Sequence, residues 1–265
     1  MPKTATIDYS LLDSADVLNF LFHPRPTYGP SSIPSARDIL IPVAEDVVIG
    51  GRFHVTGQSA VNILFFHGNG EIVDDYDDLG PLYNRFGINF LAADYRGYGS
   101  STGTPTVSTM MADCHLIFRY VREWLRDHGC GGALVVMGRS LGSASALELA
   151  SHYPEQIAGL IIESGFAYTG PLLRLIGVDT EALGFEESQG IRNLEKIRSF
   201  RKPTLIIHAE FDHIIPFSDG QALYAASPAA DKRLVKVPQA NHNNILALGL
   251  QQYLEAVKSL AERLQ

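Results

Sequence analysis

Apolar residues fall into short runs separated by amphipathic stretches, and the two patterns alternate along most of the chain. ILIPV, VVIGGRFHV, VNILFFH, INFLAADY, ALVVMG, IAGLIIES, TLIIHAE and RLVKVPQ supply eight candidate strands. From residue 61 onward the runs are continuously apolar, as in parallel strands covered on both faces, whereas VVIGGRFHV is broken by glycines and polar groups. The first two runs are therefore expected to form an antiparallel hairpin.

Helical periodicity fills the gaps between the later strands. Residues 108–128 carry an apolar stripe of Leu116, Phe118, Tyr120, Val121, Trp124 and Leu125, with Ser108 as the expected N-cap. Residues 141–153 follow the fifth run directly. Residues 244–264 close the chain with Ile245, Leu246, Leu250, Leu254 and Val257 on one face. This alternation predicts an α/β architecture with a doubly wound, mostly parallel sheet.

Two segments break the rhythm. Residues 1–38, with FHPRPTYGPSSIPS, are expected to form an irregular arm on a domain spanning 39–265. Residues 166–202 exceed an ordinary connection, contain the helical pieces PLLRLIG and IRNLEKI, and are expected to form a small lid.

Composition narrows the function. At 265 residues there is room for one α/β domain with a small insertion. A net charge of −8, with no cluster of lysine and arginine, argues against a nucleic-acid partner. Cys114 and Cys130 lie in no metal-binding spacing and are expected to be free thiols, as suits a reducing cytoplasm. The start of the sequence lacks a signal-peptide pattern, and the apolar patch at 17–22 is too short to span a bilayer. A cytoplasmic protein without an integral membrane segment is expected if the chain is complete.

The chemistry enters at GRSLG. Gly138, Ser140 and Gly142 form a GxSxG where an apolar run gives way to a helical pattern. A serine on so tight a turn sits in strained backbone, and its neighbours two positions away must be small. Ser140 is the expected nucleophile, with the Leu141 amide at a helix N-terminus as an oxyanion donor. HGNG (67–70) ends the third run, at the edge of the sheet where sites form, and the Asn69 amide is the expected second donor. His67 itself reads as structural.

Among nine histidines, His242 stands on the loop between the eighth run and the last helix, at the same sheet edge as Ser140. It is the expected general base. His208, inside a strand run, reads as a packed core group. The acid is expected between serine and histidine in chain order, and Asp212 at the end of the seventh run satisfies this. Glu163, ending the sixth run, is its competitor, while Asp219 and Asp231 read as a helix-start and a surface-turn residue.

With these residues in place, the chain from about Ile39 onward resembles the α/β-hydrolase superfamily through HGNG, DYRGYGSSTGTP, GRSLG, HAEFDHIIPF and the His242 loop. DYRGYGSSTG and FHPRP are similar to the single-domain branch that includes depalmitoylase-like proteins and bacterial relatives. The resemblance implies the α/β-hydrolase fold, a triad of Ser140, Asp212 and His242, and an oxyanion hole from the Asn69 and Leu141 amides. It also implies that Asp94, Arg96, Gly97 and Gly99 shape a loop. Ser143 stands where many relatives have a third glycine, and no cysteine-rich N-terminus for lipid attachment is present.

The expected reaction is hydrolysis of a small-molecule ester or thioester through an acyl-enzyme, with no cofactor or metal. A serine peptidase on the same triad, or a binding protein that keeps the fold, are the other readings. Phe166, Tyr168, Leu172, Leu173 and Ile176 either line an apolar acyl pocket or pack the 166–202 segment onto the core.

Overall fold

The computed structural model describes residues 7–265. Eight strands form one sheet: β1 (Ala36–Ala44), β2 (Val47–His54), β3 (Val61–Phe66), β4 (Ile88–Ala93), β5 (Leu134–Arg139), β6 (Gly159–Glu163), β7 (Thr204–Ala209) and β8 (Lys232–Val237). Their order is β1-β2-β4-β3-β5-β6-β7-β8. The β1/β2 and β2/β4 pairs are antiparallel and all others parallel, so the expected hairpin is present and the sheet is mostly parallel. Every residue of β3 to β7 is buried, as their unbroken apolar runs require. The edge strand β8 alternates and carries Lys232, Arg233 and Lys236, charges that discourage further pairing.

Among the described residues eight α-helices cover both faces: α1 (Ala15–Leu21), α2 (Leu79–Arg85), α3 (Val107–Asp127), α4 (Ser143–His152), α5 (Thr169–Leu175), α6 (Asn193–Ile197), α7 (Phe217–Ala226) and α8 (Ile245–Glu262). On one face α1, α3, α4 and α7 bury Val17, Phe118, Leu147 and Leu223 against Leu64, Val136 and Ile162. On the other, α2 and α8 bury Tyr83, Tyr253 and Val257 against Ile63, Val135 and Ile161. Opposite strand faces thus feed two separate cores, as a doubly wound sheet demands.

Several local expectations shift. The arm is not wholly irregular: a 3₁₀ turn (Ser10–Asp13) and α1 bury Leu12, Val17 and Leu21. Two short turns offer too few residues to show helical periodicity. The N-cap of α3 is Thr106, not Ser108; its hydroxyl accepts from the Thr109 amide, while Asp13 takes the Ser108 amide at 3.0 Å. On α8, Leu250 is 40% exposed and Tyr253 occupies the inner face instead. The 166–202 segment holds α5 and α6 as its two helical pieces.

Candidate active site

Ser140 follows β5 at the head of a 3₁₀ turn (Ser140–Gly142) that runs into α4. Its φ of 49° is in the left-handed region, a strained conformation for a residue with a side chain. The neighbours explain the motif. A Cβ on Gly138 would lie 2.2 Å from the Gly142 carbonyl oxygen, and one on Gly142 would lie 2.1 Å from that of Phe66. The turn is therefore wedged between β3 and the start of α4 with no space for a methyl group. Ser143, in place of a third glycine, donates its hydroxyl to the Ser140 carbonyl at 2.6 Å and tightens the same turn.

The candidate base, His242, comes from near the other end of the chain. Beyond β8, Asn241 and Asn244 bond each other's backbone amides at 2.7 and 3.2 Å and shape the loop that carries His242. His242 Nε2 lies 3.0 Å from Ser140 Oγ, and His242 Nδ1 lies 2.8 Å from Asp212 Oδ2. All three residues are buried. The geometry suits an Nδ1–H that donates to the carboxylate, leaving Nε2 to accept the serine proton.

Asp212, just past β7, has a second task. Its Oδ1 accepts the amides of Ile214 and Ile215 at 3.0 and 2.8 Å, which fixes the loop and aims Oδ2 at the imidazole. Burial alone would raise its pKa, but the bond to His242 and the backbone donors outweigh that and hold it below the ordinary value. The Phe211 amide also donates to the Ala240 carbonyl at 2.8 Å, joining the two loops.

Glu163 has a different set of partners. Its Oε1 meets Arg139 at 2.7 Å and its Oε2 accepts from Tyr253 at 2.7 Å. Arg139, the variable residue of GxSxG, is itself a buried hub that the sequence reading left unassigned. Its Nε donates to Glu71 at 2.8 Å and its Nη2 to the His242 carbonyl at 2.9 Å. Glu71 in turn accepts the Gly68 amide and the Tyr76 hydroxyl, each at 2.6 Å. Burial works against the Glu71 charge, yet Arg139 and Tyr76 more than offset it and bring its pKa down to about 2. One guanidinium thus ties the loop after β3 to the loop that carries His242. An arginine directly before the serine, with acids at the ends of two neighbouring segments, was the available signal.

Asn69 lies on the loop after β3, and its side-chain carbonyl accepts from the His23 amide and the Tyr98 hydroxyl at 3.0 and 2.7 Å. Arg25 donates to the Gly70 carbonyl at 2.6 Å, so the N-terminal segment splints this loop. Leu141 is the second residue of the 3₁₀ turn, where the first amides have no partner within the turn. His67 is fully buried between the Gly68 carbonyl at 2.7 Å and Asp94 at 3.1 Å. Its desolvation is outweighed by these acceptors, and its pKa is raised. Asp94 also takes the Val73 amide, and Arg96 pairs with Asp113 at 2.6 Å, structural contacts for the loop after β4. His208 is buried against the Ile215 carbonyl at 2.8 Å, and burial lowers its pKa. Asp219, in the first turn of α7, accepts the Ala167 amide at 2.8 Å.

Of the five apolar residues from 166–202, Phe166 and Leu173 are part of the core, Leu172 and Ile176 lie partly buried against it, and Tyr168 is 40% exposed. For Phe166 and Leu173, this burial favours packing over a pocket. Among the described residues no helix is long and apolar enough to cross a membrane.

The chain has clear relatives. Residues 57–178 match a family model described as serine aminopeptidase, S33, a stretch that includes Asn69, Ser140 and Leu141 and stops before Asp212 and His242. An uncharacterised protein of Mycobacterium tuberculosis is 29% identical over 252 residues, covering 88% of this chain and 83% of that protein. Alpha/beta hydrolase domain-containing protein 17C of Xenopus tropicalis is 33% identical over 208 residues, covering 76% of this chain; the chain spans 61% of that protein's length. Among solved structures, an esterase of Pyrococcus furiosus superposes with a TM-score of 0.73 at 20% identity, covering 91% of this chain and 99% of that one. Sheet order, the strained serine turn and these likenesses together make the chain a hydrolase of the α/β-hydrolase superfamily, similar to alpha/beta hydrolase domain-containing protein 17C.

Proposed function

We propose that the protein is a serine hydrolase that cleaves a carboxylic ester or thioester through an acyl-enzyme. The observation that carries this reading is the unbroken hydrogen-bonded series Ser140 Oγ, His242 Nε2, His242 Nδ1 and Asp212 Oδ2, with both separations at 3.0 Å or below. In the acylation step Ser140 Oγ bonds to the acyl carbon, its proton passes to His242 Nε2, and Asp212 stabilises the imidazolium. The Asn69 and Leu141 amides take the developing oxyanion. Nε2 then returns the proton to the departing alcohol or thiol. A water molecule, deprotonated by the same nitrogen, releases the acid and restores Ser140.

In this reading residues 166–202 act as a lid on the 39–265 domain. The free, buried Cys114 and Cys130 fit a cytoplasmic location. Tyr168 is the candidate substrate contact best exposed to a ligand, while Phe166 and Leu173 lie in the core with Leu172 and Ile176 packed against it. The family model's description favours a second reading, a peptidase using the same triad.

The test is a chain-length series of p-nitrophenyl esters, acyl thioesters and aminoacyl p-nitroanilides, run on wild type and Ser140→Ala, with fluorophosphonate labelling of both. Ester or thioester turnover and labelling that vanish in the variant support the proposal. Turnover confined to the anilides selects the peptidase, and wild-type protein that neither labels nor turns over any substrate refutes both.

A further inference from the structure

Far along α4 from Ser140, three side chains meet that the proposed chemistry does not use. His115 comes from α3, and Glu148 and His152 come from successive turns of α4. One ligand atom from each lies within 4.8 Å of the other two. We propose that His115, Glu148 and His152 form a binding site for a divalent transition-metal ion of the zinc class.

The spacing carries the argument. Glu148 Oε1 is 3.5 Å from His115 Nε2 and 3.3 Å from His152 Nδ1. Both separations are long for hydrogen bonds, which favour about 2.7–3.2 Å. They match the edge of a tetrahedron whose metal–ligand bonds are about 2.0–2.1 Å, which comes to about 3.3–3.4 Å. A nitrogen, oxygen, nitrogen donor set is one that zinc accepts. The outer contacts are in place as well. His115 Nδ1 lies 3.1 Å from the Tyr153 hydroxyl, which leaves Nε2 to face the carboxylate. Glu148 Oε2 is held by Lys196 at 2.6 Å, so only Oε1 is offered. The Lys196 ammonium opposes a nearby cation and limits the affinity, while its grip on Oε2 makes the carboxylate a one-oxygen ligand.

Three protein ligands leave a fourth position. The same three residues line a cavity of about 750 Å³ together with Tyr9, Arg119 and Lys196, so that position can take water or a small ligand. His152 Nδ1 also lies 3.1 Å from the Glu148 carbonyl oxygen. Metal at Nδ1 would replace that contact and require the ring proton on Nε2, so the doubly protonated ring cannot bind and affinity weakens as pH falls.

The test does not depend on hydrolysis. Chelator-treated protein is titrated with Co²⁺ and followed by the intense visible bands of tetrahedral cobalt, then with Zn²⁺ in competition, using wild type, Ser140→Ala, His152→Ala and His115→Gln. Expected are one ion per chain, unchanged binding in Ser140→Ala, and at least tenfold weaker binding in each histidine variant. His152 is 38% exposed at the side chain, so its replacement leaves the fold intact. Absent uptake, uptake indifferent to both histidine variants, or a thiolate-to-cobalt band pointing to Cys114 would each overturn the assignment. Wild-type protein that binds cobalt but neither turns over an ester nor takes the fluorophosphonate label would refute the proposed hydrolysis and leave the metal site standing.

Discussion

Arg139→Met removes a guanidinium that makes three short contacts, with Glu71, Glu163 and the His242 carbonyl, at 2.8, 2.7 and 2.9 Å. Charge-assisted bonds contribute about 1.5–3 kcal/mol each, against which stands the cost of having buried the guanidinium. The larger effect is what stays behind. Glu163 is 1% exposed and keeps only Tyr253, while Glu71 keeps the Gly68 amide and Tyr76. Leaving buried carboxylates without their cation costs about 3–5 kcal/mol, a large share of the stability of one domain. Urea unfolding of Arg139→Met, Glu163→Gln and the double variant measures this directly. The double variant should recover part of the loss, with a coupling of about 1.5–3 kcal/mol, because neutral glutamine no longer needs the cation. Activity should respond separately. The His242 loop loses its carbonyl anchor, so kcat should fall about tenfold to a hundredfold while KM stays near wild type, the signature of a misplaced base. A loss below about 1 kcal/mol for the single variant, with coupling inside about 0.5 kcal/mol, would refute the hub.

Other consequences are as direct. Asp212→Asn should lower kcat by about 10⁴-fold, and Glu163→Gln far less; the reverse ranking in steady-state assays would move the acid to Glu163. Gly142→Ala places a methyl group 2.1 Å from the Phe66 carbonyl and should cost at least about 2 kcal/mol or prevent folding, read by thermal denaturation. Glu71 and Glu148 are each held at about 2 from an ordinary 4.5, so each favours the folded state above pH 4.5. That contribution, about 3 kcal/mol per group, should be lost as pH falls from about 4.5 toward 2. Urea midpoints across this range should show a shallower acid slope in Glu148→Gln; an unchanged slope would deny the shift.

The parallel strands β3 to β7 were legible because each is a mostly apolar run, the pattern forced on any strand covered on both faces. Ser140 and its glycines were legible because the turn excludes a Cβ, which leaves a mark in the sequence itself. Asp212 and His242 could be ordered along the chain, but which of Asp212 and Glu163 meets the imidazole depends on folding, which brings Asp212 to 2.8 Å from His242 across two separate loops. Arg139 was overlooked because the motif treats its position as variable. Leu250 leaves the inner face because it stands one residue, about 100° round the helix, from the buried Gly249. The cluster at the end of α4 joins two helices whose residues show no sequence spacing typical of a metal motif.

The hub at Arg139 also bears on when the protein becomes competent during its own synthesis. Chains emerge from the N-terminus onward, and early segments begin to fold before the end is made. Arg139 and Glu71 come from the first part of the chain, but the Tyr253 hydroxyl and the His242 carbonyl that complete their network belong to its last segments. A nascent chain can therefore assemble the strained serine turn well before it has Asp212, His242 or a full set of contacts for its buried charges. Tyr253 arrives only with translation of α8, and a product truncated before that helix would keep His242 but leave the buried Glu163 without its tyrosine partner.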